Sequence, residues 1–219
     1  MAKPLFDPQS LPIDAVAGEP ALALERLAPA WLRARFANRP EWSPELADES
    51  QRPRSEPTPA SVLVPLVLRE QGLTLLLTQR TAHLTDHAGQ ISFPGGRAED
   101  YDVSPVDTAL RESEEEIGLA RAHVEVLGCL PDYYTGTGYR VTPVVGLVQP
   151  PFELNADPNE VAEIFEVPLA FLMDGANHQR LSVQLESGRR TFYAMPYERF
   201  FIWGATAGML RNLFHFLRA

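Results

Sequence analysis

The stretch PVDTALRESEEEIGL, residues 105–119, decides the fold. Pro105 suits a first helical turn and Gly118 suits a helix end, so the spacing predicts a helix from about Pro105 to Ile117. At ~100° per residue, Glu112, Glu115 and Glu116 fall within an arc of roughly 100°. Val106, Leu110, Ser113 and Ile117 occupy a neighbouring arc that faces the core, which leaves the three carboxylates along one solvent-facing edge. Like charges at these spacings repel by about 0.2–0.5 kcal/mol per pair, and no lysine is near to offset them. Two readings are open: a solvated acidic face, or a site for a hard cation such as Mg²⁺, which takes carboxylate oxygens and bridges phosphates. The residues upstream decide between them.

Gly95 and Gly96, after Phe93 and Pro94, let the backbone adopt positive φ or approach a ligand closely. Gly96 is followed by five residues, Asp102, eight residues, and then RESEEEIGL at 111–119. This resembles the Nudix box, in which Gly, five residues, Glu and seven residues precede Arg-Glu-U-x-Glu-Glu-x-Gly-U, with U bulky and apolar. The departures are Ser113 at an apolar position, Asp102 in place of Glu, and one additional residue. The resemblance implies an α/β (α+β) fold, a Nudix-type α/β/α sandwich around a mixed sheet, that hydrolyses a diphosphate bond. It implies that Glu112, Glu115, Glu116 and the Gly96 carbonyl hold Mg²⁺ or Mn²⁺, with Glu115 and Glu116 at the chemical step. Arg111 is then expected to fix the glycine loop against the helix through an ion pair with Asp102 or Glu99. A later loop in this superfamily often supplies a carboxylate that helps deprotonate the attacking water. The stretch DPNEVAEIFEVPL, residues 157–169, offers Glu160 and Glu163 for this role, and Glu160 is preferred because it precedes the strand.

Residues 76–96 read LLTQRTAHLTDHAGQISFPGG. They look like the signature of the coenzyme A diphosphatase branch, in which LLTxR and HxGQxxFPGG precede the box. Glu99 and Asp102 also match the acidic spacing of that branch, and with GYRVTPVVG and FFIWGATAG the resemblance runs from about residue 60 to 217. It implies coenzyme A or an acyl-CoA as substrate, with Arg80, His87, Gly95 and Gly96 as substrate contacts. Arg80 offers a planar fork of donors for phosphate oxygens, and His87 could donate to the diphosphate or the 3′-phosphate. The structural alternatives are a carboxylate pair for Arg80 and a loop anchor for His87. Other Nudix substrates (ADP-ribose, NADH, a nucleoside triphosphate) and a non-catalytic ligand-binding module are the competing functions.

The 219 residues carry a formal charge of −10. That balance argues against a nucleic-acid binder, and phosphate binding then needs divalent cations or a few placed arginines. The single cysteine, Cys129, excludes an intramolecular disulfide and reads as a small core residue. With no sustained apolar N-terminal run, the expectation is a cytoplasmic protein with no membrane partner.

Residues 1–59 read as an N-terminal arm, a short helix bent or broken at Pro29, and a proline-rich linker. Residues 60–219 read as the hydrolase domain. The extension is expected to be dispensable for chemistry, with homodimer contacts as an open role. Expected strands are SVLVPLVL and LTLLLTQ as a hairpin, then HVEVLGCL, GYRVTPVVGLV, IFEVPL, QRLSVQL and RRTFYAM, before a final helix over about Ala205 to Leu217.

Overall fold

The computed structural model describes residues 6–45, 56–82, 88–186 and 188–219. Its strands are β1 (Ile13–Val16), β2 (Thr58–Val67), β3 (Thr74–Arg80), β4 (Ile91–Ser92), β5 (Gly95–Arg97), β6 (Val124–Cys129), β7 (Tyr133–Tyr134), β8 (Tyr139–Val148), β9 (Val161–Pro168), β10 (Gln179–Leu185), β11 (Gly188–Tyr197) and β12 (Phe200–Trp203). The helices are α1 (Pro29–Ala37), α2 (Pro105–Ile117), α3 (Leu169–Leu172) and α4 (Gly204–Arg218). The larger sheet runs β4-β3-β2-β8-β6, with β5 on β2, β7 on β8 and β9 on β3. It is mixed, because β2 and β8 are parallel and the other pairs antiparallel. A second, antiparallel sheet runs β1-β10-β11-β12.

Strand alternation divides the core into two layers. Leu63, Val67, Leu76, Val144 and Val148 pack under α2 with Ala109 and Ile117. Val64, Leu66, Leu75, Leu77, Val145 and Leu147 face the other way, toward Leu210, Phe214 and Phe216 of α4. Helices on both faces of a mixed sheet make the expected α/β/α arrangement. The Phe200–Trp203 strand and the pairing of residues 13–16 were not expected from the sequence.

Residues of the extension pack against the rest of the chain. Pro29 does not break a helix; it occupies the first turn of α1, where its missing N–H costs nothing. Leu22, Leu27, Leu32 and Phe36 are buried in the same cluster as α4, and β1 pairs with β10. Arg26 donates to the Arg218 carbonyl at 2.7 Å and Arg35 to the Phe216 carbonyl at 2.8 Å, so two cations serve the unpaired carbonyls of the last turn of α4. Removing the extension would therefore strip both a core layer and a helix cap.

Arg211, 4% exposed, joins the extension to α4 through Glu19 and Glu45. Its guanidinium holds Glu19 down to about 2, against the upward push of burial. Glu45, also pushed up by burial, is nonetheless brought to about 2 by hydrogen bonds from His215, Tyr193 and Arg211. Both lie below the ordinary glutamate value of 4.5, so the stability they contribute is present above that pH and is lost as pH falls toward 2. Glu19→Gln is expected to lower Tm at neutral pH and to flatten the fall of Tm between about pH 5 and 2. Thermal melts across that range test this, and a variant curve parallel to wild type would refute it.

Candidate active site

α2 begins as its sequence dictates: the Ser104 hydroxyl accepts from the Asp107 N–H at 3.1 Å and Pro105 follows in the first turn. It ends at Gly118 in the left-handed conformation, φ 69°, with the Gly118 N–H bonded to Glu114 and the Leu119 N–H to Ser113. Ser113, at the box position where an apolar residue is usual, is fully buried, and its hydroxyl donates back to the Ala109 carbonyl at 2.6 Å. The substitution is thus satisfied inside the helix.

Arg111 makes the predicted ion pair, and the partner is Asp102, not Glu99. Its Nε and Nη2 each meet an Asp102 oxygen at 2.9 Å, and the carboxylate is 2% exposed. Asp102 also accepts the Glu99 N–H at 2.9 Å and the Thr108 hydroxyl at 2.9 Å. The Arg111 fork holds the Asp102 carboxyl well below the usual carboxylate range, and Asp102 in turn holds Arg111 protonated. The shorter Asp side chain therefore reaches the arginine although the box has an additional residue. Nothing in the motif pointed to Thr108 or to Tyr101, whose ring lies 5.5 Å under the guanidinium.

Glu116 departs from the expected solvent-facing edge: it is 5% exposed. Burial pushes its carboxyl up to about 8, opposed chiefly by the Gly95 N–H, which donates to Oε2 at 3.1 Å. Glu112 is raised in the same direction, first by burial. Glu115 is the exposed member of the three. Glu112 and Glu115 both lie 2.8 Å from Arg111 Nη1, which turns them toward the arginine. Accordingly, no three carboxylate, imidazole or thiol side chains converge on one point among the described residues.

β5 brings Gly95 and Gly96 beside the helix. A Cβ on Gly95, at φ 148°, would collide with the Ser61 carbonyl and Val62 Cα of β2, and one on Gly96 would collide with the Glu112 carboxylate. The glycine pair is thus a close approach of strand, sheet and acidic helix. Arg80 ends β3 on the same sheet face as Leu76, toward α2. Its Nε is buried and makes no hydrogen bond among the described residues, and its charge opposes the upward shift of Glu116. His87 lies outside the described residues.

The loop after α2 is tied to the helix end, since Asn155 N–H donates to the Ile117 carbonyl and Asp157 N–H to the Glu116 carbonyl, both at 2.8 Å. Those bonds carry Glu160 close enough for its charge to raise both Glu112 and Glu116. Glu163 is instead paired with Arg199. Cys129 is half-buried, and burial pushes its thiol up, away from the reactive thiolate.

The donors along this edge are hard carboxylate oxygens, the kind a divalent cation takes, and Glu116 is desolvated with one N–H partner, but Glu112 and Glu115 face Arg111 and do not close a site around it. Among the described residues no helix is long and apolar enough to cross a membrane.

Residues 57–185 match the NUDIX domain family. The uncharacterized Nudix hydrolase NudL of Escherichia coli (strain K12) is 44% identical over 154 residues, 70% of this chain and 80% of NudL. Among solved structures, a MutT/nudix family protein from Enterococcus faecalis is 16% identical, covering 84% of this chain and 73% of its own, with a TM-score of 0.46. The NUDIX domain of Shewanella oneidensis NrtR, complexed with ADP ribose, is 22% identical over 53% of this chain and 75% of its own, with a TM-score of 0.41. The chain belongs to the Nudix hydrolase family, enzymes that act on pyrophosphate bonds and generally need divalent metal ions.

Proposed function

We propose that the chain hydrolyses the diphosphate bond of coenzyme A, or of an acyl-CoA, to 3′-phospho-AMP and 4′-phosphopantetheine. One observation carries this reading. The two segments that resemble the coenzyme A branch, LLTQR and FPGG, meet at Glu116: Arg80 from the first faces it, and Gly95 from the second donates to it.

Glu112, Glu115, Glu116 and the Gly96 carbonyl would hold Mg²⁺ or Mn²⁺, which when bound supplies charge neutralisation and water activation. Glu112 and Glu115 must first turn away from Arg111, so the arginine sets the cost of that rearrangement while its bond to Asp102 keeps the loop in place. Arg80 presents its fork to the diphosphate oxygens. Glu160 takes the proton of the attacking water, the new P–O bond forms in line with the bridging P–O bond that breaks, and the departing phosphate keeps that electron pair. His87 is assigned to a substrate phosphate.

Glu116→Gln should reduce kcat on the order of a hundredfold or more. The variant should still fold, because a neutral amide replaces a buried carboxylate. Mg²⁺ should raise the Tm of wild type by mass action and that of the variant less. Wild-type turnover with an unchanged Mg²⁺ response would sink the metal assignment.

The two glycines should respond differently. Gly96→Ala meets the movable end of Glu112, so it should fold and need more Mg²⁺ for half-maximal activity. Gly95→Ala meets backbone at positive φ and should lose stability outright. Circular dichroism melts with Mg²⁺ titrations of activity separate the two, and identical behaviour would contradict the geometry.

The substrate itself is tested by incubation with coenzyme A, dephospho-CoA, ADP-ribose, NADH and dGTP plus Mg²⁺, with products identified by mass spectrometry. Coenzyme A is expected to lead, with dephospho-CoA about 10- to 100-fold lower in kcat/KM for want of one charge-assisted contact. Preference for another diphosphate would replace the substrate and keep the chemistry.

A further inference from the structure

β3 alternates, so Arg80 points toward α2 and Gln79, its neighbour, shares the opposite face with Leu75 and Leu77. On that opposite face, at the same end of the sheet, lies a cleft of about 240 Å³. Gln79, Gln90, Arg199, Phe201 and Trp203 line it, and Gln9 closes it from the N-terminal extension. None of these residues belongs to the acidic helix or to its glycine loop.

Size limits the occupant. Sites that enclose a whole drug-sized ligand run to about 300–1,000 Å³, so this cleft takes one ring system and not an entire coenzyme. Charge limits it further. Arg199 is paired with Glu163 and lies 4.6 Å over the Phe200 ring. Asp7, also in the wall, accepts the Gln9 N–H at 3.0 Å and adds negative charge. A phosphate would face that carboxylate with the nearby cation already paired, and an uncharged group would not.

The lining chemistry names the group. Phe201 and Trp203 are partly exposed, and Trp203 is held edge-on by Phe6 and Phe192 at 5.9 and 5.3 Å, which fixes a flat apolar surface. Around it, the primary amides of Gln9 and Gln79 carry a donor and an acceptor side by side. The Gln79 amide nitrogen donates to the Gly89 carbonyl at 3.4 Å, which turns the amide along the cleft wall. A glutamine amide can bond adenine at N6 and N7 at once, and aromatic faces stack on any base. We propose that this cleft is a subsite for a planar nitrogen heterocycle of the adenine type. It would hold the nucleotide end of the substrate while the diphosphate turns around the sheet end to Arg80 and Glu116. The subsite rests on the diphosphatase reading for its purpose, but its binding is measurable without turnover.

The test is isothermal titration of the full chain with adenosine 5′-monophosphate, ribose 5-phosphate and pantetheine, in wild type, Gln9→Ala, Gln79→Leu and Trp203→Leu. Adenosine 5′-monophosphate should bind more tightly than ribose 5-phosphate. Trp203→Leu should weaken it by about 5- to 150-fold and leave ribose 5-phosphate unchanged. If Trp203→Leu melts early, the two glutamine variants decide, since Gln9 and Gln79 are not core residues. Adenosine 5′-monophosphate affinity unchanged in variants that melt like wild type overturns the subsite, as does a loss confined to pantetheine. Metal-dependent cleavage of diphosphates with no variant effect on binding would fail the cleft alone. Variant-sensitive adenosine 5′-monophosphate binding without cleavage of any diphosphate would fail the proposed reaction alone.

Discussion

The Arg111 guanidinium holds the acidic helix and the loop before it as one piece. It meets both oxygens of Asp102 in a protected fork and, through its remaining nitrogen, Glu112 and Glu115. A bidentate pair of this kind fixes direction as well as distance. Without it, Asp102, Glu112, Glu115 and Glu116 would face one another across a few turns of chain with little to oppose their repulsion. With it, the helix can bury Ile117 and Ala109 against the sheet and still carry carboxylates along its edge. The cost of desolvation falls on Glu116, whose charge is the least compensated.

The other end of the helix is set as firmly. Backbone N–H groups of Asn155 and Asp157 take the carbonyls of Ile117 and Glu116. The loop that leads to Glu160 therefore moves with α2, and the Thr81 N–H, donating to the Glu160 carbonyl at 2.9 Å, joins it to the end of β3. Arg80, Glu116 and Glu160 belong to three separate segments, yet a few main-chain bonds fix their order.

How much of this was legible depended on whether the interaction was local. The α2 boundaries and the arc of carboxylates are local, and periodicity and capping declare them, whereas the Arg111 ion pair was expected only from the resemblance, with Asp102 or Glu99 as its partner. The burial of Glu116 was not legible, because the same arc that looked solvent-facing on an isolated helix is covered by β5 once Gly95 packs on β2. The coupling of Glu160 to Glu112 and Glu116 rests on loop bonds that no composition records. β1 and β12 were missed for a related reason. Each is four residues long, and the first pairs with a strand more than 160 positions away.

The extension illustrates the limit of reading composition as structure. Pro29 was expected to bend or break a short helix, but it starts α1, and arginines 26 and 35 reach the last carbonyls of α4. A helix as apolar as α4 needs cover on the side away from the sheet, and Leu27, Leu32 and Phe36 provide it. The same segment then continues past Glu19 and β1 toward Asp7 and Gln9 at the far end of β3. Strand alternation there places the acidic helix behind Arg80 and the amide-lined cleft behind Gln79, so a single strand end separates two chemically different faces. Because one of those faces is walled by the extension, the N-terminal segment shapes the proposed subsite as well as the core.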